Sequence, residues 1–461
     1  MKFIVFLTAL MILIPCSLKS DTFDFDLKSF TPPDYTRTSL EFSSNFSTNH
    51  TTQEFNNLLS HAISNTVNTL YNSDIEGTYS YYRYSQKRIS DMSFNLLYEY
   101  ENTFAEYDDF VDTDVANTMI GLELDRYETL YVSKNYFVSI GADATYSFRK
   151  IYYPEHYDRM QRQYRLEGTF GFGWGRLENV GYARTALFMY EDMQKYGVLQ
   201  TAPSADDIRD LATLIAQRKN LRSLDYRDNF VDNIKAFDLF FKGKSNVTSD
   251  ISCMAAYTDV FHNMPQTNRF NGSRVHFDFR TMYANILEEE YDMVSDSTIE
   301  TQTGFLASIN YEYENPLSQK WQLSFDYSSR YVKENRDIEM MEEIIDTIST
   351  TGFMHDIMLT MGYYPTQRTS FTASSAMIYQ TLDGEMESFD GDLRELTMKM
   401  FGVMIELGVD YYFSPNVRMF ASTGTVYQYA QMTRTDSYDN DDDSQNGYDF
   451  ILQTGITYKV F

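Results

Sequence analysis

The chain has 461 residues, a formal net charge of -28 and a mean hydropathy of -0.43, with 38 Tyr and 34 Phe against two Trp. This polar average excludes a bundle of membrane helices. It does not exclude strands that are apolar at alternate positions only, because these also average out as polar. The negative charge would repel phosphates, so no nucleic acid is expected as a partner.

The chain begins with a pattern typical of a secretory signal. Met1 and Lys2 precede an apolar run from Phe3 to Cys16, after which the sequence turns polar. The run of about 14 residues is too short to cross a bilayer as a helix. Residues 1–20 are therefore predicted to be a signal peptide that is removed on export. Cys253 would then be the one remaining cysteine, which predicts no intramolecular disulfide.

Many segments alternate apolar and polar residues with period two. Between Trp321 and Tyr331, Leu323 and Phe325 fall on one face and Ser324 on the other. Strands that face lipid on one side and water on the other have this pattern. About 14 segments of about 10 to 14 residues suit tilted membrane strands. They are 38–48, 76–86, 92–104, 116–127, 138–148, 161–174, 275–283, 305–314, 321–331, 355–364, 368–380, 401–413, 417–430 and 447–461.

The connections between these segments alternate between short and long. The short turns are 86–91, 133–135, 315–320, 364–367 and 414–416, and the long, acidic connections are 104–115, 150–160, 286–299, 334–352, 382–395 and 432–446. Membrane barrels have short turns on the periplasmic side and long loops outside. A soluble all-β protein also has alternating strands, but this regular asymmetry disfavours it.

The pattern changes to a helical period from Leu177 onward. Ser204 and the acidic residues after it are typical of a helix N-terminus, and Phe230, Ile234 and Phe237 recur at helical spacing. The stretch 248–261 suits neither period cleanly and is assigned to the helical part. The sequence thus predicts a first part of the barrel at 21–176 with about six strands, a helical periplasmic insert at 177–268, and a second part at 269–461 with about eight strands.

The chain ends in Tyr458-Lys459-Val460-Phe461. With its signal, alternating strands and loop asymmetry, it resembles bacterial outer-membrane β-barrel proteins of porin type over essentially the whole mature length. The resemblance implies an all-β membrane protein in the cell outer membrane: an antiparallel transmembrane β-barrel of about 14 strands with a small α-helical insert. It also implies membrane lipid and the barrel-assembly machinery as partners, with Tyr458 and Phe461 as the assembly signal. Phe461 departs from the class because it falls on the opposite face from Tyr458 and Val460.

The polar phase of the strands predicts a charged lumen. The expected lining residues are Glu99, Glu101, Asp143, Asp278, Arg280, Glu312, Glu314, Asp326, Arg330, Glu406 and Asp410, with Glu123, Asp125 and Glu167 assigned to the same face. Rings of Asp and Glu favour cations, and a barrel of about 14 strands is wide enough for a lumen. The sequence therefore predicts a small-solute channel with cation preference that is either passive or plugged by the insert.

The sequence has no Gly-x-Ser-x-Gly elbow, His-Glu-x-x-His, Walker loop or Cys-x-x-Cys pair. His276 beside Asp278 is interpreted as a structural pair. We therefore predict no enzymatic activity, no cofactor and no metal site. The alternatives are a structural or surface-binding barrel whose insert docks a periplasmic protein and, less favoured, an outer-membrane enzyme.

Overall fold

A computed structural model describes residues 23–57, 62–107, 113–152, 158–221, 226–263, 269–291, 295–340, 343–366, 368–388, 393–414, 417–435 and 440–458. The strands are β1 Tyr35–Asn57, β2 Ala62–Tyr84, β3 Arg88–Tyr107, β4 Thr113–Tyr131, β5 Tyr136–Tyr152, β6 Asp158–Asn179, β7 Phe270–Tyr291, β8 Ser295–Pro316, β9 Trp321–Met340, β10 Glu343–Tyr363, β11 Thr369–Ser388, β12 Leu393–Ser414, β13 Val417–Thr435 and β14 Asn440–Tyr458. The helices are α1 Gly181–Lys195, α2 Ala205–Asn220, α3 Tyr226–Lys242 and α4 Ile251–Asn263.

All the strands belong to one sheet in which each strand pairs antiparallel with its neighbours along the chain, from β1 to β14. The four helices lie between β6 and β7, so six strands precede them and eight follow. The antiparallel fold class with a small helical insert is confirmed.

The helices contact strands that are far apart in this sheet: α2 contacts β1, and α4 contacts β12. In a flat sheet these two strands would be about 50 Å apart, because neighbouring strands are about 4.8 Å apart. The longest described helix has 17 residues and measures about 25 Å. The sheet must therefore curve until strands near both of its ends reach one insert, which is the geometry of a barrel.

The two faces of the sheet differ in chemistry. On β6, Tyr164, Leu166, Phe170, Phe172 and Trp174 share one exposed face. In register with them are exposed aromatic and aliphatic side chains of the neighbouring strands, including Ile140, Tyr146, Phe279 and Tyr283. Ten residue steps along a tilted strand cover about 25 Å of membrane depth, which matches the apolar band of an outer-membrane barrel. We call this the outer face and the opposite one the inner face.

The strands are longer than the alternation predicts, ranging from 17 residues in β5 to 23 in β1. β9 continues to Met340 and β10 starts at Glu343, so most of 334–352, expected to be a long loop, is strand. In the extension of β6 and β7, Arg159 forms an ion pair with Glu288. Beyond the membrane both faces of a strand meet water, so the period-two pattern that predicts strands is lost there.

The insert has its own hydrophobic core, and the start of the described chain is part of it. Phe23, Phe25, Leu27 and Phe30 are buried against α1, α2, α3 and α4. The sequence predicts residues 21–176 to be the first part of the barrel, a range that includes Phe23, Phe25 and Leu27. These residues instead complete the helical insert. At its other boundary, β6 extends to Asn179, two residues past the predicted start of the insert at 177. None of the described helices is both long and apolar enough to cross a membrane.

Two glycines mark the end of the sheet where the chain leaves for the insert. Gly175 on β6 and Gly272 on β7 have φ values of 102° and 126°. A Cβ at Gly272 would lie 2.1 Å from the carbonyl oxygen of Arg176, and one at Gly175 would lie 2.1 Å from that of Ser273. The two backbones therefore approach so closely that glycine is required at both positions.

Gly272→Ala is expected to destabilise the barrel by about 2 kcal/mol or more, because it combines strain at positive φ with a backbone clash. Gly402→Ala is the matched control. Gly402 is also a strand glycine, but a Cβ there meets only the Tyr427 carbonyl oxygen, at 3.8 Å. Urea denaturation in detergent should give a lower midpoint for Gly272→Ala alone. Equal midpoints for the two variants would contradict this assignment.

Candidate functional site

The inner face of β4 and β5 carries an acidic cluster. Carboxylate oxygens of Glu123, Asp125 and Asp143 all lie within 4.8 Å of one another. Asp125 and Asp143 are direct register partners, so their side chains meet on one face. A cavity of about 330 Å³ opens beside the cluster and is also lined by Glu167 and Arg280. We call these three carboxylates the acidic wall.

Next to the acidic wall, negative charge is compensated by arginines. Glu167 forms an ion pair with Arg165 of its own strand, and Arg280 Nη1 on β7 lies 3.0 Å from Glu167 Oε2. Glu128, nearer the short turns, accepts hydrogen bonds from Arg88 and Ser90. The acidic wall itself has no such arginine partner among the described ion pairs. Its negative charge is therefore directed at the lumen.

A second, larger cavity of about 700 Å³ lies on the inner face between β7 and β11. Arg274 Nη2 donates hydrogen bonds to both carboxylate oxygens of Glu312, at 2.8 Å and 2.9 Å. Arg330 on β9 pairs with Asp356 on β10. Asp326 lies between these pairs and lines the same cavity. Five of the predicted lining residues therefore line one cavity: Asp278, Arg280, Glu312, Asp326 and Arg330.

The remaining predicted lining residues lie apart from this cavity. Three of them accept hydrogen bonds from neighbouring strands: Glu101 from Asn117 Nδ2 at 3.2 Å, Glu314 from Gln322 Nε2 and Ser324 Oγ at 2.7 Å each, and Asp410 from Ser370 Oγ at 3.1 Å. Asp410 also forms an ion pair with Arg418. Glu99 on β3 is in register with Met119, and Glu406 on β12 is in register with Ser374 and Gly424. They follow the inner face from β3 to β12 and do not converge on one point. Of the proposed assembly signal, Tyr458 ends β14, and Phe461 lies outside the described residues.

His276 and Asp278 form an ion pair on the inner face of β7. His276 Nε2 lies 3.0 Å from Asp278 Oδ2. Ser139 is buried two strands away from them on β5, and its hydroxyl has no hydrogen-bond partner among the described residues. In the described part of the chain, no side-chain hydroxyl forms a hydrogen bond with the imidazole of His276.

The interior is filled at the end of the barrel with the short turns. Arg176 stacks over the rings of Tyr84 and Tyr131 at 5.2 Å and 4.3 Å and donates hydrogen bonds to the carbonyl oxygens of Ser85 and Gln86. These contacts join β6 to β2 and β4. Sequence alternation could not find them, because it assigns side chains to a face but does not pair distant strands.

Two buried arginines attach the insert to this end of the barrel. Arg184 of α1 and Arg269 before β7 are only 2% and 1% exposed. Their guanidiniums lie 4.7 Å and 5.3 Å from the ring of Tyr364, in the turn between β10 and β11. Arg269 also donates to the carbonyl oxygens of Ser318, in the β8–β9 connection, and of Trp321, the first residue of β9. Burial, with Arg269 nearby, lowers the pKa of Arg184 well below its usual value.

Other contacts attach the insert elsewhere around the barrel end. Arg368, after Tyr364, pairs with Asp259 of α4 at 3.0 Å. The ring of Tyr182 in α1 packs edge-on against Tyr35 at the start of β1 at 6.1 Å. The insert is therefore fixed at β1, at β6 and β7, and between β10 and β12. Contacts at these separated positions hold the helices at this end of the barrel.

No family model and no curated protein matches the chain. Among solved structures it is similar to the TodX monoaromatic hydrocarbon channel deltaS2 mutant (7% identity, 94% of this chain and 91% of that chain covered, TM-score 0.32). It is also similar to the ferric yersiniabactin uptake receptor FyuA from Yersinia pestis (6% identity, 93% and 73% covered, TM-score 0.31). A third is the outer membrane protease OmpT from Escherichia coli (10% identity, 94% and 98% covered, TM-score 0.17). Similarities this low say nothing about activity or solute.

The chain is an outer-membrane β-barrel by its own architecture: one antiparallel sheet, curved, with an apolar outer band.

Tyr364→Ala should loosen the insert, because it removes the ring that both buried guanidiniums contact, at a cost of about 2 kcal/mol. Trypsin should then cleave within α2 and α3 about thirtyfold faster than in the unsubstituted protein, since cleavage follows local opening. Tyr379→Ala, on the outer face of β11, is the control and should leave the rate unchanged. An unchanged rate for Tyr364→Ala would show that this contact does not hold the insert.

The start of α2 provides a pH-dependent contribution to stability. Burial alone would raise the pKa of the Asp207 carboxyl, but hydrogen bonds from Lys244 Nζ and from the Ser204 hydroxyl and backbone N–H outweigh it and lower the pKa. A depressed carboxyl pKa stabilises the fold above its unfolded value of about 4, and this stabilisation is lost as the pH falls.

Asp207→Asn should therefore destabilise α2 by about 1 kcal/mol at pH 7. The difference from the unsubstituted protein should disappear as the pH falls below about 4. Hydrogen exchange of the backbone amides in 205–220, measured at pH 7 and again below about pH 4, tests this. Asp206→Asn is the control, because Asp206 is exposed and pairs only with Arg209 one turn later among the described ion pairs. An equal loss of protection at both pH values would contradict the role of the charge.

Proposed function

We propose that this barrel is an outer-membrane channel for small solutes with a preference for cations, closed at its periplasmic end by the helical insert. The carrying observation is the acidic wall of Glu123, Asp125 and Asp143, which faces the lumen without an arginine partner among the described ion pairs. Carboxylates around a pore raise the local concentration of cations and repel anions. The cavities beside β5 and β9 leave space for small solutes.

The contacts of the insert support a plug more than a passive brace. A brace would need only contacts next to its own chain connections at β6 and β7. The insert also reaches β1 and β12 and has buried guanidiniums against Tyr364. Passage through the barrel therefore requires these contacts to open or the helices to move aside.

The test is conductance in planar bilayers. The full chain is compared with a release variant, Tyr364→Ala with Arg368→Ala, which keeps the insert but removes two of its attachments. We expect low conductance from the full chain and larger, steady conductance from the release variant. In a KCl gradient the reversal potential should indicate selectivity for potassium, because the lumen is acidic.

Selectivity is tested in the release variant by adding Asp125→Asn with Asp143→Asn. The permeability ratio of potassium to chloride should fall about twofold or more, because the two lumen carboxylates and the negative charge that they share are removed. Asp383→Asn is the matched control: Asp383 is on the face of β11 that carries outer-face residues and hydrogen-bonds to Thr397. Silence from every variant, with folding verified by heat-modifiable gel mobility, would reject the channel.

The second candidate, a barrel whose insert docks a periplasmic protein, is favoured by one observation. Leu239 of α3 and Ile251 of α4 are 76% and 78% exposed, and Met254 is exposed one turn after Ile251. Ser249 Oγ donates to Asp238 Oδ1 at 3.2 Å, which brings these two helices together near the exposed side chains. Apolar side chains grouped on a periplasmic helical surface are suitable for protein contact.

A further inference from the structure

The larger cavity has one charged side and one apolar side. The apolar side consists of Met358 on β10 with Ala376 and Ile378 on β11. Register places Met404 of β12 beside Ala376, and Met354 and Met400 on either side of Gln380. We call Met354, Met358, Ile378, Met400 and Met404 the apolar wall. It lies on the inner face, because Asp356, which pairs with Arg330, is the register partner of Ile378.

An apolar surface on the water side of a barrel costs free energy unless a ligand covers it. Met358 and Ile378 are both exposed to the lumen despite lining the cavity. The located contacts of the insert with these strands are at Tyr364 and Arg368, in the turn between β10 and β11, six residues along the chain from Met358 and ten from Ile378. Methionine side chains adapt to ligands of different shapes, so this wall suits small apolar groups.

The charged side carries an excess of negative charge. Each guanidinium of the cavity has a carboxylate partner: Arg274 pairs with Glu312, Arg280 with Glu167, and Arg330 with Asp356. Asp326 has no ion-pair partner in the described part of the chain. It is in register with Glu312 on one side and with Met358 on the other. One carboxylate therefore stands directly at the border of the apolar wall.

A glycine of β12 leaves space next to the apolar wall. Gly402 of β12 is in register with Ile378, and a Cβ there would meet only the Tyr427 carbonyl oxygen within 4 Å. The cavity of about 700 Å³ falls in the size range of small-molecule sites. A ligand with a short alkyl chain and a charged head fits this volume.

We propose that the cavity between Asp326 and the apolar wall binds small amphipathic organic cations, such as alkylammonium ions, on their way through the barrel. The cationic head lies at Asp326, and the alkyl chain covers Met358 and Ile378. An anion would meet the uncompensated carboxylate, and a fully hydrated metal ion would gain nothing from the apolar wall. Transit through this site rests on the proposed channel function; binding at it does not.

Isothermal titration calorimetry of the full chain in detergent tests binding without needing an open pore. The probes are hexyltrimethylammonium, tetramethylammonium and hexanoate, all used below their micelle-forming concentrations. We expect saturable binding of hexyltrimethylammonium, at least about tenfold weaker binding of tetramethylammonium, which lacks the chain, and no binding of hexanoate.

Two variants separate the charge from the apolar contact. Asp326→Asn should weaken hexyltrimethylammonium binding about tenfold. Ile378→Asn should reduce the preference for hexyltrimethylammonium over tetramethylammonium and leave tetramethylammonium binding unchanged. Glu101→Gln is the matched control, because it removes a carboxylate on β3 that lies outside the cavity. Far-UV ellipticity and heat-modifiable mobility verify that each variant is folded.

Equal effects of Asp326→Asn and Glu101→Gln, or equal binding of all three probes, would overturn the proposal. The outcomes also separate it from the channel hypothesis. Cation-selective conductance without hexyltrimethylammonium binding rejects only this site. Binding that depends on Asp326, with every variant silent in bilayers, confirms the site and rejects passage through it.

Discussion

The structure depends on one constraint: inside a membrane, every backbone N–H and C=O of a strand must find its partner within the sheet. Each described strand from β2 to β13 has two antiparallel neighbours, and the ladders run without a change in strand order. The contacts of the insert with both β1 and β12 require the sheet to curve round toward closure. Closure in turn produces an inner face, and with it every candidate site described above.

The helical insert also depends on a distant part of the chain. Its four helices share one hydrophobic core with the start of the described chain. Phe23, Phe25 and Phe30, from the start of the described chain, fill that core. The N-terminal segment and the region between β6 and β7 are distant in sequence, so the core of the insert joins two separate parts of the chain.

Sequence patterns predict the strands where successive side chains alternate between two different environments. Between Trp321 and Tyr331 one face meets lipid and the other meets the lumen, so the alternation is clear and β9 was found. Where both faces meet water, as beyond Tyr331, the alternation fades, so the sequence predicts a long connection from 334 although β9 continues to Met340. Phe23 and Phe25 alternate with acidic residues as a strand would, yet they pack into helices. A period of two shows that one face of a segment is apolar, but it does not show whether that face packs against lipid or against helices.

The same limit explains why half of the large cavity escaped prediction. The charged side was visible in the sequence, because Asp326 and Arg330 interrupt apolar residues at alternate positions. The apolar side was not, because Met358, Met400 and Met404 stand on strands whose outer face is also apolar, and apolar residues on both faces weaken the alternation. The sequence does retain one signal for such sites. An apolar residue in the polar phase of a membrane strand has no lipid to face, so it faces another side chain, the insert, lumen water or a solute. Met358 and Ile378 are two such residues, both remain partly exposed, and the proposed amphipathic cation would cover them.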